Sequence, residues 1–151
     1  MKYILLNNLN EVIGESNGRA VVIPRGAEAG TTIDNADAQW AIEKQRLING
    51  GVFQMPETNL PDEYQDETGF EYGSVNINTG EVIKNHIVID KPLAEIKAIK
   101  KAKVTASANN AAAQRIYETL PDIKGKIDAE LNAIDKADNA SAIKNRTVPV
   151  F

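Results

Sequence analysis

A single imidazole, His86, and 21 carboxylates are what this 151-residue chain offers for proton transfer or metal binding. His86 lies in Asn85-His86-Ile87-Val88-Ile89, which reads as a strand. With no second histidine and no cysteine, it could act only as a lone acid or base, and it reads as a half-exposed strand residue. The absence of cysteine excludes disulfides, thiolate nucleophiles and Cys-ligated zinc or iron–sulfur sites. Between Arg46 and Lys84 there is no Lys or Arg, while Glu57, Asp62, Glu63, Asp66, Glu67, Glu71 and Glu81 fall in that gap. Calcium needs several oxygen ligands, but this stretch lacks the alternating Asp/Asn positions and closing Glu of an EF-hand loop, so it reads as a solvated loop. Glycoside hydrolysis needs two carboxylates facing one bond; nothing singles out such a pair, and aromatic residues to stack on sugars are few. Asp34-Asn35-Ala36-Asp37 reads as helix capping rather than a cation site. Gly14, Gly18, Gly26 and Gly30 have neither phosphate-loop nor dinucleotide spacing. The expectation is a protein without catalytic residues, metal or cofactor.

The elements that carry these residues follow from pattern. Tyr3–Leu6, Glu11–Gly14 and Arg19–Pro24 read as strands, and Asn17-Gly18 is a hairpin signal between the last two. That predicts a small antiparallel meander. Arg25–Thr32 reads as a loop. Asp34 is placed to cap a helix running to about Ile48, with Ala36, Trp40 and Leu47 on its apolar stripe and Asn49-Gly50-Gly51 as its stop. Val52–Met55 reads as extended, 56–69 as a loop, and Phe70–Ile77 with Glu81–Ile89 as a second hairpin around Asn78-Thr79-Gly80. Asp90 then caps a helix, with Pro92 in its first turn. Leu93, Ile96 and Ile99 carry the helix onward through the alanine-rich stretch to Leu120, as one rod or two. Thr119 and Asp122 resemble a capping box for a further helix.

Alphabet and charge both change near Lys91. Residues 1–90 hold 6 basic and 14 acidic side chains, and residues 91–151 hold 11 basic and 7 acidic. Gly125 is the only glycine after Lys91. The fold class expected is α+β. A small antiparallel β-rich domain with one helix at about 34–48 occupies 1–90. A helical hairpin or arm with an extended apolar C-terminal tail occupies 91–151. The charge contrast would let acidic and basic parts of neighbouring copies attract one another, or reflect lysines on solvated helix faces. An acidic sequence pI of about 5.1 and lysines without interleaved aromatics argue against nucleic acid. No apolar run approaches the ~20 residues of a bilayer helix, and Met1–Leu6 is too short for a signal peptide core. The two Asn-X-Ser/Thr sequons at Asn139 and Asn145 therefore read as chance matches.

Two apolar features point to partner contact. Ile123, Ile127, Leu131 and Ile134 recur at steps of four, four and three, a narrow seam for pairing within a subunit or between copies. Val148, Val150 and Phe151 are apolar in a region where tails are usually polar; they would either fold back or dock on a neighbour as an added strand. Two stretches, Val75-Asn76-Ile77-Asn78-Thr79-Gly80-Glu81-Val82-Ile83 and Pro92-Leu93-Ala94-Glu95-Ile96-Lys97-Ala98-Ile99-Lys100-Lys101-Ala102-Lys103, resemble hairpin and helical segments of small tail- and fibre-associated virion proteins of tailed bacteriophages. The resemblance implies a non-enzymatic structural or assembly protein of a virion, tail-associated, made in the bacterial host cytoplasm, with other virion proteins and copies of itself as partners. Within that class the alternatives are a head decoration protein and a tail-assembly chaperone. From other classes come a soluble module binding a small ligand or host protein through the acidic loop and Trp40, and a small carboxylate hydrolase.

Overall fold

The structure, a computed structural model, describes residues 1–23 and 31–149. It is an α+β fold, with β strands in its N-terminal part and helices in its C-terminal part. The chain forms two compact units, one of Met1–Leu60 with Glu67–Val88, the other of Pro61–Asp66 with Ile89–Phe151. A cut near Lys91 therefore misassigns one piece: residues 61–66 belong with the helices.

In the first unit, β1 (Tyr3–Leu6) is the centre of an antiparallel sheet ordered β2-β1-β5, with β2 at Val12–Ser16 and β5 at Val52–Gln54. The register against β2 slips between Leu5 and Leu6, and Val12 and Ile13, though consecutive, are both exposed. A bulge of this kind blunts an edge strand against stray pairing. The predicted meander does not form. The strand after Asn17-Gly18, β3 (Ala20–Ile23), pairs instead with β4 (Thr31–Asp34) as a separate two-stranded sheet. The physical reason lies downstream. The carbonyls of Gly18 and Arg19 accept from the backbone N–H groups of Ala36 and Asn35, extending the β3–β4 ladder, while Val21 and Ile23 turn into the core.

Helix α1 (Ala36–Asn49) is capped by Asn35 rather than Asp34, which ends β4; Asn35 takes φ 56°, and its side chain accepts from the Ala38 N–H at 3.5 Å. Asn is the side chain that tolerates this left-handed conformation best after glycine. Trp40, Leu47 and Ile48 of α1 pack with Tyr3, Ile4, Leu6, Val21, Ile23, Val52, Phe53 and Val82 into one core. Strand β6 (Glu57–Thr58) runs parallel to β8 (Lys84–Asp90), and β8 also neighbours β7 (Gln65–Tyr72).

The second unit is built on α2 (Leu93–Asn109), α3 (Ala111–Thr119), α4 (Pro121–Lys136) and the short α5 (Ala140–Lys144). The N-cap position of α2 is Pro92, not the expected Asp90, and it has no side-chain cap; the Asp90 carboxylate accepts from Lys144 and Gln65. The helix after Pro92 is two rods: Asn110 adopts ψ 139°, an extended value that ends α2. The proposed capping box at Thr119 is also absent, since its hydroxyl donates back to the Arg115 carbonyl and Leu120 caps α4. Ile96, Val104, Ala108, Ile127, Ile134 and Ile143 form the core, with Tyr64 buried among them. Each fully buried isoleucine contributes about 2–3 kcal/mol over an exposed one.

Candidate functional site

In the first unit, the turn after β2 and the outer face of β3 leave an open groove of about 570 Å³. Leu5, Ala20 and Val22 supply its apolar lining, and Lys2, Glu15, Ser16 and Asn17 its polar lining. Strand alternation explains the apolar part: Val21 and Ile23 point inward, so Ala20 and Val22 face outward, and Val22 is 49% exposed.

Glu15 joins the groove to a small cluster. The Lys84 ammonium donates to both of its oxygens at 2.9 and 3.3 Å, and the Tyr72 hydroxyl donates at 2.5 Å. Burial pushes the Glu15 carboxyl up, but the hydrogen bonds from Tyr72 and Lys84 outweigh it and hold the group below the ordinary range. The same contact, after burial, pushes the Tyr72 phenol up to about 12. Lys84 also lies 4.0 Å over the ring of Phe70, whose edge meets Tyr72 at 5.3 Å. Phe70 is thus half exposed yet held on two sides. A rigid exposed aromatic loses little conformational entropy on binding, which is what makes such residues anchors at interfaces.

A second polar chain starts at the groove's Lys2. Its ammonium donates to Glu57, whose Oε1 lies 3.3 Å from His86 Nε2. His86 Nδ1 lies 3.0 Å from Glu67 Oε1 but off the hydrogen-bonding direction. His86 is 6% exposed, so the half-exposed histidine expected from the sequence is buried between two carboxylates. Its isolation in the sequence hid this, because both partners come from other strands.

The remaining candidate residues lie elsewhere. Ile127 and Ile134 are buried in the helical core, and Ile123, Leu131 and Val148 pack half-buried against it. Pro149 accepts from the Ser107 hydroxyl. Val150 and Phe151 lie outside the described residues. Trp40 is 8% exposed beneath Gly80 and cannot face a ligand. The acids at 62–67 are exposed, as a solvated stretch would be, but three acids of the region carry partners: Glu57 meets Lys2, Glu63 meets Lys103, and Asp66 meets Lys91. Among the described residues, no group of three or more His, Asp and Glu could hold a metal ion, and no helix is long and apolar enough to cross a membrane. Sequence reasoning missed Phe70, and it missed Glu15, whose hydrogen bond from Tyr72 crosses 57 residues.

No family model, no curated protein and no solved structure matches this chain.

Proposed function

We propose that this chain is a structural or assembly protein of a tailed-phage virion, tail-associated and acting through protein–protein contacts rather than catalysis. The observation that carries the contact reading is the half-exposed Phe70, pinned by Lys84 and Tyr72 and joined through Glu15 to the groove. Further exposed apolar side chains on the same unit, Ile13, Val22, Ile77 and Ile83, support it. The placement in a virion rests on the resemblance of residues 75–83 and 92–103 to phage tail and fibre segments. The partners are other virion proteins and further copies of this chain.

The test is co-sedimentation. Particles released from a lysed culture are pelleted through a density gradient, and the chain is followed by antibody. Co-sedimentation that Phe70→Asp abolishes, with the variant still folded by circular dichroism, is the expected result. A wild-type chain that stays with the soluble fraction overturns the assignment. The groove itself favours a second reading, a soluble module binding a small ligand or a peptide, and that reading predicts the soluble fraction.

A further inference from the structure

Six residues of the helical unit arrive from elsewhere in the chain. Pro61–Asp66 is flanked on both sides by segments of the other unit, and its last two residues, Gln65 and Asp66, open β7. Its centre is Tyr64, 7% exposed and buried with Ile96, Val104, Ala108 and Ile143. The Lys103 and Lys144 ammonium groups stand 5.7 and 5.9 Å from the centre of its ring. Acidic residues on either side of the ring find lysines of the helical part: Glu63 pairs with Lys103, and Asp66 with Lys91. The backbone is held too: the Lys91 N–H, just past the end of β8, donates to the Tyr64 carbonyl, just before β7, at 2.8 Å. Asp62 accepts from the Tyr64 N–H at 2.8 Å, and this local turn presents the ring. An aromatic anchor in a pocket, charges of opposite sign on both flanks and a backbone hydrogen bond are the elements of linear-motif recognition.

We propose that the helical unit is a receptor for an extended segment with a tyrosine between acidic residues, a site that Pro61–Asp66 fills in cis and that the same segment of a second copy fills in trans. The charge balance fits this occupant. Residues 91–151 alone carry 11 basic and 7 acidic side chains, and adding Asp62, Glu63, Asp66 and Asp90 brings the unit to 11 of each. The site stands independently of any place in a particle, because it concerns only what the helices bind.

The experiment uses the full chain with Tyr64→Ala and a fluorescent synthetic peptide spanning residues 59–68, standing for the segment of a second copy. The variant should bind the peptide, and the same peptide with alanine for the tyrosine should not. Wild type should bind at least about tenfold more weakly, because its own segment competes at a tethered concentration in the millimolar range. Sedimentation of the gradient fractions above reads none of this, so the two proposals fail separately. If Tyr64→Ala unfolds the helices, the peptide should restore their circular dichroism. Full-length Glu63→Lys, which keeps the ring but opposes Lys103, is the second host and should also bind the peptide more tightly than wild type. Absence of peptide binding or rescue in both hosts overturns the proposal.

Discussion

Two side-chain environments in the first unit lead to predictions at the scale of single residues. Gly80 sits at φ +74°, and a Cβ there would lie 2.7 Å from a Trp40 ring carbon and 2.8 Å from Ile48 Cδ1. Left-handed strain and core overlap act together, so Gly80→Ala should cost about 2–4 kcal/mol in urea unfolding. Glu57 is the second case. The hydrogen bond from Lys2 holds its carboxyl below the ordinary carboxylate range, helped by the Lys2 charge and by His86 against the cost of burial. A carboxyl lowered in the folded state adds stability above its unfolded value of about 4.3 and loses it as pH falls toward the folded value. Lys2→Met should therefore flatten the loss of stability below about pH 4.3, seen by comparing urea midpoints of the two proteins across that range. A variant with the wild-type acid slope would show that the pair contributes nothing. Neither environment was legible locally. Gly80 looked like an ordinary turn glycine, and only the indole beneath it sets its cost.

Among the elements, α4 was the most legible. Its steps of four, four and three describe one stripe of a 3.6-residue helix, and the stripe packs as a graded contact. Ile127 and Ile134 are buried, and Ile123 and Leu131 half-buried. Ile134→Ala should cost about 2–5 kcal/mol and Leu131→Ala clearly less, read from thermal or urea unfolding followed at the helical signal. Lys100 makes a second element-scale prediction. It lies on α2 with 4% exposure, and its ammonium donates to the Lys144 and Arg146 carbonyls at the end of α5. Lys100→Met keeps the apolar stem and orphans those acceptors, so a loss of about 1–3 kcal/mol is expected. By residue type Lys100 is one more lysine among several, but its step of four from Ile96 and to Val104 puts it on the buried stripe of α2, whereas Lys101 pairs with Asp135 at the surface. Strand pairing was the least legible feature. Asn17-Gly18 does turn the chain, with Gly18 at φ +84°, but a turn does not say whose edge the next strand will join.

For the whole molecule, the interleaving of the two units matters most. A composition boundary near Lys91 separates two alphabets, yet Tyr64 and its acids lie on the wrong side of it. The fragment of residues 91–151 would keep its four helices' sequences while losing a core side chain and the partners of Lys91, Lys103 and Lys144. It should unfold at a lower temperature than the helical signal of the intact chain, and adding the peptide of residues 59–68 should raise that temperature. A fragment as stable as the intact chain would mean that the helices close their core without Tyr64.

The sequence by itself determined the α+β class, the apolar stripe of α4, the stop of α1 at Gly50 and the lack of any thiol chemistry. These follow from residue type and from periods of two to four positions, which act within one element. Only the tertiary structure decided that β3 leaves β2 for β4, that His86 lies between Glu57 and Glu67, that Glu15 ties Tyr72 and Lys84 together, and that Tyr64 belongs to the helices. Each of those depends on groups 8 to 79 positions apart. Burial and charge neutralisation choose such partners by proximity in space, and no local pattern records that choice.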